Sequence, residues 1–61
     1  MKVYKLKNNF NGIKKGTQFY LIAESEFIGV IDYVLRTSDL AIRISINERE
    51  LNKNFILLKH S

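Results

Sequence analysis

The order of apolar and polar positions divides the chain into five β segments and one break. In KVYKLK, residues 2–7, Tyr4 and Leu6 fall on one side and Lys5 and Lys7 on the other, the period-two signature of a half-buried strand. NNFNG follows with turn-forming Asn and Gly, and Phe10 is the expected inward anchor of this loop. Gly16 of KKG takes positive φ without steric cost, so the chain reverses into TQFYLIA, residues 17–23, with Phe19, Leu21 and Ala23 expected on the inner face. ESE, residues 24–26, reads as a short charged tip. FIGVIDYVLRT, residues 27–37, reads as one long strand whose internal Gly29 marks a bulge or a sharp bend. After the turn TSD, residues 40–46, LAIRISI, alternate most cleanly and predict a central strand with Leu40, Ile42, Ile44 and Ile46 inward. NERELNKNF breaks the period: Asn47 with Glu50 three residues later is a helix-capping pair, predicting a helical turn over residues 48–53. FILLK, residues 55–59, closes as the last short strand.

No linker, repeat or low-complexity segment divides residues 1–61, so the expectation is one all-β domain. Its order is strand, irregular loop, three consecutive antiparallel strands, one helical turn, short strand. With IKKG at residues 13–16, this order resembles the Src-homology-3-like small barrels, in which a lysine-rich KKG leads into the second strand and one helical turn precedes the last. The resemblance implies a five-stranded SH3-like small barrel. The ALYDY-type stretch, paired tryptophans and proline of the peptide-binding members are missing, so it does not extend to recognition of proline-rich peptides. YKLKNNFNGIKKGTQF, residues 4–19, is also similar to the opening of many small phage and prophage proteins. That similarity implies an accessory that binds and inhibits a host or defence protein in the host cytoplasm.

Length changes the energetic picture. A chain of 61 residues buries only about 60% of the surface that its unfolded form exposes. With no Cys and a single His60, neither disulfides nor a Cys-based zinc site can staple it, so packing or oligomerisation is expected to hold it. Eight Ile and seven aromatics are many for so small an interior, and some of that surface is expected to face outward or to meet a partner. No apolar run approaches 18 residues and no signal peptide is evident, so the expectation is a cytoplasmic protein free of the membrane.

Catalysis needs convergent polar groups with tuned acidity, and the chain offers no such set: no Cys, one late His, no Gly-rich phosphate loop and no carboxylate pair that the pattern would bring together. Neither enzyme activity nor a cofactor is expected. Glu48 and Glu50 are explained by capping and solvation of the helical turn. If Ile31, Tyr33 and Leu35 face the core, then Ile28, Val30 and Val34 line the opposite face as an apolar stripe interrupted by Asp32. Ile28, Val30, Asp32 and Val34 are therefore the candidate partner-binding residues, with a homodimer as one way to cover them. Asp32 reads either as a charge that guards an exposed strand or as a specificity charge within an interface.

Charge adds a second candidate. Residues 1–20 hold five Lys and no acid, whereas residues 21–61 hold five bases and six acids. Lys5, Lys7, Lys14 and Lys15, with Tyr20 out of phase with the core positions, fit a nucleic-acid-binding edge in which lysine meets phosphate and an aromatic stacks a base. The same lysines fit the ordinary protection of an edge strand.

Overall fold

The computed structural model describes residues 1–39 and 41–60. Five antiparallel strands form one sheet: β1 (Lys2–Leu6), β2 (Gln18–Phe27), β3 (Val30–Thr37), β4 (Arg43–Asn47) and β5 (Phe55–His60), with a helix α1 (Glu48–Asn54) between the last two. The spatial order is β4-β3-β2-β1-β5. β4 and β5 are the two edges and are not paired with each other, so the sheet is open and no barrel is closed.

One face of the sheet carries the core. Leu6, Phe19 and Leu35 are fully buried on it, joined by Tyr33, Ile46, Leu51 and Phe55. Phe55 is the hub: its ring meets Phe19 edge-on at 5.5 Å and Phe10 at 6.0 Å, contacts that orient the rings beyond simple area burial. The expected anchor, Phe10, is half-buried against this cluster.

Two covers close the face. The loop after β1 folds over it, with Phe10 and Ile13 bridged around Asn11 and Gly12, both at positive φ. Helix α1 supplies Leu51 and begins as predicted, with the Asn47 side chain accepting the Glu50 N–H at 2.8 Å. It ends by running directly into β5, where the Phe55 N–H is accepted by the Leu51 carbonyl.

Several positions differ from the pattern-based expectation. Residues 24–26 are not a tip. They continue β2, and the reversal lies at Ile28 and Gly29, so Gly29 is a turn residue and not a bulge inside a strand. A bulge falls instead between Leu21 and Ala23, which rotates Ala23 out of the core face that Phe19 and Leu21 keep. β4 is an edge and not a central strand, and it starts at Arg43. Ile44 and Ile46 do face the core, whereas Ile42 is exposed outside the strand and Leu40 lies outside the described residues. The β3–β4 connection is held by Thr37: its hydroxyl donates to Asp39 Oδ1 at 2.6 Å and accepts the Ile42 N–H at 3.1 Å.

Candidate docking hairpin and basic sheet face

The hairpin of β2 and β3 outgrows the sheet. β1 last pairs with β2 at Val3 opposite Tyr20, and β4 last pairs with β3 at Asn47 opposite Asp32. Beyond these points β2 and β3 continue alone to Phe27 opposite Val30, a two-stranded finger with open edges. Its end is apolar: Phe27 is 76% exposed, Ile28 84% and Val30 57%. Its shaft is acidic, with Glu24, Glu26 and Asp32 and no base anywhere from residue 22 to residue 35.

The turn itself is built against local preference. A two-residue hairpin with positive φ at both central positions is the type I′ geometry, which favours Asn-Gly and disfavours β-branched residues. Among the described residues this conformation occurs twice. At residues 11 and 12 the φ values are 48° and 79° and the residues are Asn and Gly, closed by reciprocal Phe10–Ile13 hydrogen bonds of 3.0 and 2.8 Å. At residues 28 and 29 the φ values are 50° and 76°, and the first residue is Ile. A Cβ-branched side chain in the left-handed region costs roughly 1–2 kcal/mol. With 84% of its surface in water, Ile28 recovers little of that by packing.

The four sequence-predicted partner-binding residues are placed as follows. Val30, Asp32 and Val34 share the sheet face opposite the core, as their phase implied, since Tyr33 and Leu35 between them are buried. Val34 is half-buried across from Ala23, and Asp32 is exposed across from Ser25. Ile28 is not on the strand but at the turn, so the stripe is a finger with an apolar tip and not a continuous strand face. Phe27, which belongs to the same tip, was missed. It pairs with Val30 across the hairpin, a relation visible only once the turn is put at Ile28 and Gly29.

The predicted nucleic-acid residues separate into two groups. Lys5 and Tyr20 stand on the open sheet face. Lys7 lies just past β1, its N–H accepted by the Asn54 carbonyl at 2.8 Å, and Lys14 and Lys15 lie in the loop before β2, away from Tyr20's strand row. Strand pairing brings in cations that the sequence did not single out. The row across the open face reads Arg43, Arg36, Tyr20, Val3, Lys59.

Elsewhere the surface offers little chemistry. An open depression of about 460 Å³ is lined by Phe10, Asn47, Arg49, Glu50, Lys53 and Asn54. Tyr33 donates its hydroxyl to Glu48 Oε2 at 3.4 Å, and burial followed by the carboxylates of Glu48 and Glu24 holds its phenol above the usual range. Among the described residues no three His, Asp or Glu side chains gather as a metal set, and no helix is long and apolar enough to cross a membrane. Comparison with protein-family models, with curated proteins and with solved structures gave no match to this chain.

Proposed function

We propose that this chain is a non-catalytic binding module that docks on another protein by inserting the hairpin tip, Phe27, Ile28 and Val30, into an apolar pocket rimmed by basic side chains. The observation that carries the reading is Ile28: the chain uses Asn at one type I′ turn and holds an exposed, strained Ile at the other. Strain kept at a solvent-facing position makes sense where the side chain serves contact and not the fold. Burying the exposed parts of Phe27, Ile28 and Val30 is worth about 3–6 kcal/mol before association costs. Micromolar binding needs about 8 kcal/mol. The tip alone falls short, so the shaft carboxylates Glu24, Glu26 and Asp32 contribute, which sets the sign of the partner's rim.

The same carboxylates argue against the hairpin pairing with itself. Two β2 edges aligned antiparallel about Ser25 would set Glu24 of each copy opposite Glu26 of the other, and like charges directly opposite are destabilising. A basic heterologous surface fits better than a second copy. The finer fold reading, an SH3-like scaffold, rests on the order of elements and on IKKG. A phage- or prophage-type inhibitor of a host or defence protein, working in the host cytoplasm, rests on the opening residues. Covering surface on its partner is the action proposed for it, with blocking as the effect.

The test is affinity capture from bacterial lysate with three baits: the wild type, Ile28→Asn and Phe27→Ser. Proteins held by the wild type and released by both variants support the reading. Identical retention by all three baits, or none by the wild type, refutes it, and light scattering showing a dimer that both variants dissociate would move the tip into a self-interface.

A further inference from the structure

The open face of the sheet holds a second, independent arrangement. Arg36 of β3 and Arg43 of β4 are direct cross-strand partners, and Tyr20 of β2 lies directly across from Arg36 on the other side. Two like charges opposite one another destabilise a sheet. Neither arginine gains a carboxylate partner among the described residues, and Arg36 Nε is shut away from water with no acceptor. Val3 and then Lys59 continue the row beyond Tyr20, and Lys5 stands one step along on the same face between Gln18 and Ile56. Among the described residues the only acid paired into this face is Asp32, at the hairpin end, flanked by Ser25 and Asn47.

We propose that this face binds single-stranded nucleic acid, with a base stacked on Tyr20 and phosphates held by Arg36, Arg43, Lys5 and Lys59. An anion between Arg36 and Arg43 turns their repulsion into two attractions. The exposed ring beside them gives a base a π-face, the combination by which sheet surfaces hold unpaired strands. Width decides against a duplex groove. Four interstrand spacings make the row about 19 Å across, too broad for a major groove about 12 Å wide. The proposal concerns the opposite end of this face from the docking tip, with other residues, and stands or falls separately.

Fluorescence anisotropy with a labelled single-stranded oligodeoxythymidylate of about 15 nucleotides and with a duplex of equal length tests it. The expected result is binding to the single strand in preference to the duplex at low salt. Tyr20→Ala should weaken single-strand binding about 5- to 150-fold with the salt slope unchanged, and Tyr20→Phe should restore it. Arg43→Gln should lower the log–log salt slope by about 0.7 while raising the melting temperature, a pairing of effects that a structural role would not produce. Circular dichroism checks each fold, and Tyr20→Leu, which keeps the apolar contact, replaces Tyr20→Ala should that variant unfold. No binding at about 100 μM protein overturns the proposal. So does duplex binding that is equal or tighter, or binding that ignores Tyr20 and Arg43 but disappears with the Lys14→Ala/Lys15→Ala pair.

Discussion

Ile28→Asn should make the protein more stable, although it removes a large apolar side chain. The substitution copies the Asn-Gly of residues 11 and 12 onto a turn with nearly the same φ values. It removes roughly 1–2 kcal/mol of left-handed strain. What it loses is small: only about a sixth of Ile28 is shielded from water, worth about 0.3–0.5 kcal/mol. The net gain is about 0.5–1.5 kcal/mol, which in a domain this short raises the melting temperature by about 2–12 °C. Thermal unfolding followed by circular dichroism measures it directly, and urea titration should show a higher midpoint with an unchanged slope. The reciprocal Asn11→Ile, placed in the same geometry, should lose a comparable amount. A melting temperature of Ile28→Asn at or below the wild type would refute the reasoning, because the Ile28 side chain would then be holding the hairpin together. A stabilised variant that also loses its partner would instead mark Ile28 as a residue kept for contact at a cost in stability.

Other outcomes follow from the same structure. Leu35→Ala, at a fully buried central position, should cost about 2–5 kcal/mol and unfold most of the population, while Ile44→Ala on the half-buried edge strand should cost less. Val30→Asp should leave a folded chain in circular dichroism and an unchanged size-exclusion profile, because the residue is exposed beside Asp32; unfolding at every concentration would mean that the tip is core. The Asp39 carboxyl, held by the Thr37 hydroxyl and then by the Ala41 N–H, sits below the usual carboxylate range. Its folded value is the lower one, so its contribution is full above about pH 4 and is lost as pH falls through that folded value. Asp39→Asn should flatten the acid limb of the stability curve, and an acid limb identical to the wild type would show that Asp39 contributes nothing to it.

The legible parts of this fold are those where one periodicity meets one buried face. β1, the first half of β2, the inward phase of β3 and the Asn47 cap could be read because Leu6, Phe19, Tyr33 and Leu35 impose alternation and Asn47 has a single local task. The finger was misread because both of its faces are wet. Glu24, Ser25 and Glu26 carry no alternation to announce a strand, and Ile before Gly29 hides a turn that Asn would have declared. The bulge at Ile22 is equally silent, yet it decides that Ala23 leaves the core face. The sheet order is a different kind of gap. LAIRISI states which side chains face inward but not which strands flank them, so an edge could pass for a centre. For the same reason the Arg36–Arg43–Tyr20 row could not be assembled from local pattern: it exists only through the pairing of three strands.

The charges follow this geometry, and their separation constrains what the two surfaces can do together. Residues 22–35 carry three acids and no base, a local charge of −3, so the remaining residues carry ten bases and three acids, a local +7. A polyanion held by Arg36 and Arg43 is repelled by the finger, and a basic rim that welcomes Glu24 and Glu26 is repelled by the sheet face. No single ligand class satisfies both. The shaft carboxylates nearest Arg36, Glu24 opposite Tyr33 and Asp32 on β3, lie three and four residues away, about 10–13 Å along an extended strand, still beyond the Debye length of about 8 Å at physiological salt. The two surfaces therefore act independently: Ile28→Asn leaves oligonucleotide affinity where it was, Arg43→Gln leaves protein capture where it was, and the double variant shows the sum of the two losses. Coupling between them would require the finger to fold back across the open face, bringing Asp32, the shaft carboxylate on that face, onto the arginines. In that case the acidic shaft is the protein's own plug for its anion site and not the rim of an interface.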